Sequence, residues 1–437
     1  MKFLYNFVVF LASLLLPIVA VFNKKIKLFM DGRKETFAKI SPLKNKDVIW
    51  FHAASLGEFE QARPVIEEIK KRHANYKIVV TFFSPSGYEI RKNYNLADVI
   101  CYLPLDSEKN ARKFIEILNL KLVIFIKYEF WPNFLNELKK KEIPTILVSG
   151  ILREKQLFFK SYGGFMKKSL EAFHHFFVQD ESSKKLLKSI NLENVTVAGD
   201  TRFDRVSKIL EQDNSLDFIN EFKDNTYTIV AGSTWAEDEE LLVNYINKKA
   251  LENEKFIIAP HNIKQDAILE LQKSINKKVI KYTDVWSSEV ETSKKLKLSK
   301  KFVLSEVERT KEIKNNLAAY QVFIIDTIGI LTKIYATADV AYVGGGLKTG
   351  LHNILEPATF GIPVVIGNKY EKFKEAVDLV HIGGCLSIKN QEEFNTSFIN
   401  LKNDTNFRNL TGIINKKYIE DNLGATELIM NYLETKL

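Results

Sequence analysis

Hydrophobic residues in this chain fall into short unbroken blocks, not into alternating or heptad stripes. In the first half the blocks are Val48–His52, Ile78–Phe83, Val99–Leu103, Leu122–Ile126, Thr145–Ser149, Phe176–Gln179 and Val195–Ala198. In the second they are Tyr227–Gly232, Phe256–Pro260, Val322–Asp326, Val340–Gly344 and Ile362–Gly367. Short apolar runs bounded by turn residues predict strands, and the stretches between them carry helical spacing. Strand and helix alternating in this way predict an α/β fold with mainly parallel sheets. The missing in-and-out alternation predicts strands covered on both faces. The series breaks once, between about Val206 and Asn225, where Glu211, Gln212, Asp213 and Asn214 follow one another. The expected architecture is two Rossmann-like domains facing a cleft. Residues 23–205 form the first, 206–225 a linker and 226–437 the second, with the last helix returning to the first domain. Residues 285–320 are rich in Lys and Glu and read as a solvated excursion without chemistry.

One block differs from the rest. Phe3–Phe22 is apolar apart from Asn6 and Ser13, and as a helix it would measure about 30 Å, the thickness of a hydrocarbon core. It runs into Asn23-Lys24-Lys25-Ile26-Lys27 and not into a small-residue cleavage site, which disfavours a secretory leader. Residues 1–22 are therefore expected to be a retained membrane anchor, spanning or half-embedded. Residues 23–46 hold eight Lys and Arg against Asp31 and Glu35. Positive charge after the helix places the following domain on the cytoplasmic side. The same cluster can hold the anionic head groups of the inner membrane.

At 437 residues the chain is too long for one ordinary core. With 46% hydrophobic residues it is not disordered, and its net charge of +9 comes mostly from lysine. No arginine-aromatic stripe points to nucleic acid, so anionic lipid or a phosphorylated substrate is the better match. Cys101 and Cys385 lie in apolar runs and read as buried free thiols of a reducing compartment. No metal-ligand spacing of histidines and no D-x-D occurs, so neither a metal nor another cofactor is expected.

Ligands of open α/β sheets bind beyond the carboxyl ends of the strands, which directs attention to three loops. The first is Ser55-Leu56-Gly57-Glu58, ahead of a helix that has Phe59, Ala62, Ile66 and Ile69 on one face. Pro64 is easiest to place in its first turn. Glu58 then stands at a helix N-terminus, as a base for a sugar hydroxyl or as a carboxylate favoured by the dipole. The second is Lys127-Tyr128-Glu129-Phe130-Trp131-Pro132-Asn133. Burying Lys127 and Glu129 costs several kcal/mol unless they are paired; a mutual ion pair is one solution, and a Trp beside a carboxylate also suits a sugar. The third runs from Gly344-Gly345-Gly346 through Lys348, Gly350, His352 and Asn353 to Glu356. It fits a nucleotide-sugar pocket or an ordinary tight βαβ turn.

Taken together these segments resemble the 3-deoxy-D-manno-octulosonic acid (Kdo) transferases of lipopolysaccharide and lipid A synthesis. The resemblance rests on the N-terminal anchor, Ser55-Leu56-Gly57-Glu58, Glu129-Phe130-Trp131-Pro132-Asn133, Gly199–Asp204, Ala231-Gly232-Ser233-Thr234, Asp326-Thr327-x-Gly329 and His352-Asn353-x-Leu355-Glu356-Pro357-Ala358, in that order. It implies a GT-B glycosyltransferase that inverts configuration without a bound metal, with CMP-Kdo as donor and a lipid A precursor (lipid IVA) as acceptor. Glu58 is implied as general base, with Glu129 and Arg202 supporting the transition state. Donor contacts fall on Ser233, Thr234, Pro260, His261, Ile328, Gly329, Ile330, Gly345, Gly346, His352, Asn353, Ile354, Leu355 and Glu356.

The chain departs from the family pattern at several positions. Lys127 stands where Glu is usual, His261 where Arg is usual, Ile330 where Glu is usual, and Leu351 where Gly is common. Arg202 stands where Lys is frequent. A UDP-sugar transferase or epimerase on the same scaffold, and a membrane-tethered lipid-binding or scaffold protein, are the rival readings.

Overall fold

The computed structural model describes residues 1–291 and 316–437. They form two units, Met1–Arg205 with Asn422–Leu437, and Val206–Asp421. In the first unit the strands are β1 (Asp47–His52), β2 (Lys77–Phe82), β3 (Val99–Tyr102), β4 (Asn119–Ile126), β5 (Thr145–Gly150), β6 (His175–Val178) and β7 (Val195–Val197). In the second they are β8 (Tyr227–Thr234), β9 (Glu254–Pro260), β10 (Val279–Lys281), β11 (Val322–Ile324), β12 (Val340–Val343), β13 (Val364–Gly367) and β14 (Cys385–Ile388). The sheet orders are β3-β2-β1-β4-β5-β6-β7 and β10-β11-β9-β8-β12-β13-β14, and the neighbours pair in parallel.

The unbroken apolar runs have a direct cause. Successive side chains of a strand point to opposite faces. Val48 and Trp50 enter one core, with Phe114 and Phe134, while Ile49 and Phe51 enter another, with Phe59 and Ile66. Both faces are covered, so every position is apolar. The second sheet repeats this, with Ile229 and Ala231 on one side and Val230 on the other. In the first sheet the chain reverses its direction of travel between β1 and β4; in the second, β8 and β12 are neighbours at the equivalent place, and the chain also turns back between β10 and β11. The loops following these strands are the natural ligand positions.

The stretch 206–225 belongs to the second unit. Its helix Asp217–Lys223 buries Ile219 and Phe222 in that unit's core. The helix Ala425–Leu433 belongs to the first, where Ile429, Met430 and Leu433 are buried. Asp204 holds its start, accepting from the amides of Gly424 at 2.7 Å and Thr426 at 2.6 Å.

Pro64 does not open its helix. The helix spans Leu56–Arg72, with Glu58 in its first turn and Pro64 buried in its interior. Burial of Ala62, Val65 and Ile66 on the sheet outweighs the lost backbone hydrogen bond. The excursion expected over 285–320 lies mostly outside the described residues, but its ends are not solvated: Val285 and Leu317 are core side chains. Cys101 and Cys385 are free and buried, and burial pushes the Cys101 thiol up to about 12.

Three α-helices precede β1, the third being the short Thr36–Ile40. α1 (Lys2–Phe22) is long and apolar enough to cross a membrane, and none of its residues is buried. α2 (Lys24–Lys34) follows after the single residue Asn23, whose side chain accepts from the amides of Lys25 and Ile26.

Candidate active site

The first unit gathers its candidate residues where the loops after β1 and β4 leave the sheet. Glu58 is 6% exposed, and its carboxylate accepts from Ser55 Oγ across the helix start. Lys127, at the end of β4, has a left-handed φ of 68°, which turns the chain sharply out of the strand. Tyr128 follows and reports on both acids: burial first, then the charges of Glu58 and Glu129, push its phenol upward. Both acids thus act electrostatically on one phenol. Lys127 and Glu129 do not solve their burial through one another. Lys127 Nζ lies 5.2 Å from the centre of the Tyr128 ring, and Glu129 stands 3.7 Å from His52 Nε2.

His52 is the last residue of β1 and is fully buried. Its Nε2 accepts from the indole of Trp131 at 2.9 Å, and its Nδ1 meets Thr81 Oγ1 at 2.9 Å. Thr81 also accepts from Trp50 Nε1 at 2.8 Å. A buried polar chain therefore fixes Trp131, whose ring stacks on Phe83. Just beyond, Asp106 caps the helix Pro132–Lys140, accepting from the amides of Asn133 at 3.1 Å and Phe134 at 3.0 Å. Burial pushes the Asp106 carboxyl up, against the pull of these bonds toward the charged form.

Arg202 sits beside the same helix as Glu58. Its Nη2 and Nε donate to Asp200 Oδ2 at 2.8 and 3.0 Å. Gln61, one turn beyond Glu58, donates to the same oxygen at 2.9 Å. Burial alone would raise the Asp200 carboxyl, but the Arg202 guanidinium and these bonds hold it below the usual range. Thr201 extends the tie, donating to the Gln61 carbonyl at 2.6 Å. Arg202 is thus aimed by Asp200, while 23% of its side chain stays exposed.

In the second unit the candidates lie at the carboxyl ends of four adjacent strands, β11, β9, β8 and β12. Ser233, at the end of β8, adopts a left-handed φ of 56°, and Thr234 donates to Glu239 at 2.9 Å. Pro260 closes β9, and the amide of His261 donates to the Thr234 carbonyl at 2.8 Å. The imidazole of His261 stacks on Trp235 at 4.4 Å and faces His352 at 4.7 Å. Trp235 donates its indole N–H to His352 Nε2 at 3.1 Å. Burial, reinforced by His261, pushes His352 down to about 4; burial also lowers His261. Ile328 is 82% exposed beyond β11, Gly329 has a φ of 101° with open space around it, and Ile330 begins a short helix.

The glycine loop is closed on itself. The Gly345 amide donates to Asp238 at 2.9 Å, and Gly345 has a φ of 88°; a Cβ there would lie 2.2 Å from the Gly350 carbonyl oxygen. Gly346 packs against Gly367. The glycines thus serve tight packing, and the helix that follows starts only at Leu355. Asp238, whose carboxyl burial pushes up, gathers Tyr342 at 2.6 Å and the Trp235 amide at 2.9 Å as well. Asn353 donates to Glu356 at 3.1 Å, and Thr332 donates to the other oxygen of that carboxylate at 2.7 Å. Ile354 and Leu355 are core side chains, so only their backbone can serve a ligand.

His52, Asp106, Asp200, Trp235 and Asp238 were not singled out from the sequence. The available signal was position: each lies at or just after the carboxyl end of a strand or at a helix start, where a polar side chain must find partners. Among the described residues no three of His, Cys, Asp and Glu gather as metal ligands would.

Residues 31–205 match the family model of 3-deoxy-D-manno-octulosonic-acid transferases. The chain is 27% identical over 374 residues to the 3-deoxy-D-manno-octulosonic acid transferase of Aquifex aeolicus, covering 84% of this chain and 90% of that protein. It is 26% identical over 442 residues to that of Rickettsia bellii, covering 98% and 97%. A bifunctional glycosyltransferase/methyltransferase of Fusobacterium nucleatum is 25% identical over 420 residues; this chain spans 60% of its length. Among solved structures, the UDP-GlcNAc 2-epimerase of Neisseria meningitidis superposes with a TM-score of 0.57 at 14% identity, covering 89% of this chain and 100% of that one. MurG of Acinetobacter baumannii gives 0.50 at 13%, covering 89% and 99%. These two likenesses concern the fold, the GT-B type of two parallel-sheet α/β domains.

Proposed function

The chain is a relative of the Kdo transferases along nearly its whole length, and from that premise we propose that it transfers Kdo from CMP-Kdo to the 6-hydroxyl of the distal glucosamine of a lipid A precursor, lipid IVA, at the inner membrane. The observation that carries the reading is Glu58: a buried carboxylate in the first turn of a helix, at the switch point of the first sheet.

In this reaction the bond between the anomeric carbon of Kdo and the CMP phosphate oxygen breaks with oxocarbenium character. The electron pair leaves with the phosphate, and the acceptor oxygen attacks the opposite face, inverting configuration. Glu58 takes the proton of the attacking hydroxyl. General base help of this kind is worth about 10²–10⁴-fold. Arg202, oriented by Asp200, supplies fixed positive charge where negative charge is held or develops, on the Kdo carboxylate or the phosphate. Trp131, held by His52, offers an indole face to the acceptor sugar, and Glu129 offers a carboxylate beside it.

Donor binding is assigned to the second unit, on the loops carrying Ser233, Pro260, His261, Gly329 and Asn353–Glu356. Trp235 with His261 offers a stacked aromatic surface where the family pattern has an arginine at position 261. The test is incubation of the full chain with CMP-Kdo and tetraacyl lipid A precursor, followed by mass spectrometry of the lipid. Whole Kdo increments support the reading and count the sugars added. An unchanged lipid with hydrolysed or intact donor overturns it.

A further inference from the structure

A helix that spans a bilayer holds its two ends about 30 Å apart, on opposite sides of the hydrocarbon. The start of α1 is instead tied to the first unit, and α2 carries the chain from its other end back to that same unit. At its start, Tyr5 donates to Asp106 at 2.7 Å, and Asn133 donates to Asn6 at 2.9 Å. Lys2 pairs with Glu108 at 2.8 Å. Beyond its other end, α2 returns the chain to the same unit. Arg33 is buried, donates to the Phe83 carbonyl at 3.0 Å and lies 5.1 Å from the centre of the Tyr102 ring. Phe83 follows β2, Tyr102 ends β3 and Asp106 comes just after it, so the attachments share the carboxyl edge of two neighbouring strands.

The two sides of α1 differ accordingly. Tyr5, Asn6, Val9, Ala12, Ser13 and Leu16 are half-covered and recur at helical spacing. Phe3, Phe7, Phe10, Leu14, Ile18 and Phe22 form another face and are between 50% and 87% exposed. Lys24, Lys25 and Lys27, at the junction with α2, are exposed as well. Lysines beside an apolar face match the boundary between anionic head groups and acyl chains.

Resting on the membrane reading above, we propose that α1 is an interfacial helix and not a span: its Phe3–Phe22 face sinks into one leaflet of an anionic bilayer, and both its ends stay on the side of the catalytic units. Asp106 joins this helix to the start of Pro132–Lys140, directly after Glu129 and Trp131. The lipid-contacting surface is therefore fastened next to the residues assigned to the acceptor, and a lipid acceptor can be met at the membrane surface.

The test uses the full chain in membranes, with one added cysteine at a time, Lys2→Cys or Lys77→Cys. Both lysines are surface residues, and the native cysteines are buried. A membrane-impermeant maleimide should label both variants in inverted inner-membrane vesicles and neither in intact spheroplasts. Labelling of Lys2→Cys from the opposite side to Lys77→Cys overturns the inference and leaves the membrane reading standing; a chain that does not sediment with membranes overturns both. Vesicles of phosphatidylglycerol should bind the protein about 10- to 100-fold more tightly than phosphatidylcholine at low salt, on roughly 1 kcal/mol per lysine near the surface. Equal binding overturns the role of Lys24, Lys25 and Lys27.

Discussion

Trp131 donates its indole N–H to Nε2 of His52 at 2.9 Å, 79 residues away in sequence. An indole can only donate, so this bond assigns the His52 tautomer: Nε2 is bare, and Nδ1 carries the proton toward Thr81 Oγ1. His52 is a positioning residue in this arrangement, acting through Trp131. His52→Ala leaves the Trp131 indole N–H without its acceptor and takes one donor from Thr81 Oγ1, which keeps its bond from Trp50 Nε1. It should cost about 2–4 kcal/mol of stability. At a temperature where the variant is folded, the acceptor KM should rise more than the donor KM. His52→Gln, which keeps an acceptor for the indole, should recover part of the acceptor effect.

Glu58→Gln removes the base and keeps the shape. Turnover should fall by about 10²–10⁴-fold, while CMP affinity, measured by calorimetry, stays within a factor of two or so of the parent. Parallel loss of CMP binding would place Glu58 in the fold and not in the chemistry.

The His352 imidazole gives the second unit a sign for its pH dependence. Its folded value of about 4 lies below the ordinary 6.5, so between those values the unfolded chain binds the extra proton. Stability contributed by neutral His352 is complete above about pH 6.5 and is lost as pH falls toward 4. Melting temperature recorded across that window should decline with acidification, and His352→Gln should flatten the decline. An unchanged slope in the variant would assign the effect to other groups.

Gly345→Ala adds a Cβ against the Gly350 carbonyl at a φ of 88°. The loop after β12 must then shift, at a cost of about 1–3 kcal/mol from the backbone alone. CMP-Kdo affinity should drop with little change in the first unit. A calorimetric titration of CMP is the measurement; unaltered affinity would separate this loop from the donor.

Most of the sheet was legible because burial on both faces leaves strands such as Ile78–Phe82 and Leu122–Ile126 unbroken and apolar. β10 and β14 were not, for a related reason. They are the edge strands of the second sheet, only three and four residues long, and Lys277, Lys278 and Lys281 crowd the first of them. An edge strand needs little apolar surface, so it leaves little trace. Pro64 misled in the opposite direction, since local propensity argued for a helix start and packing of Val65 and Ile66 overruled it. The loops bearing Glu58 and Glu129 could be found from their place after strands. The second layer could not. His52 meets Trp131 and Thr81, and Asp200 meets Gln61, only once the sheet has brought distant segments together.

The first unit takes its helix Ala425–Leu433 from a part of the chain made after the whole of the second unit. During synthesis, residues 1–205 leave the ribosome with the surface that receives Ile429, Met430 and Leu433 still bare. Their folding cannot be completed until translation has passed residue 433, more than two hundred codons later. A stop codon near position 421 would consequently injure the half of the molecule encoded first, and a chaperone able to shield that apolar patch has its window of action in the interval.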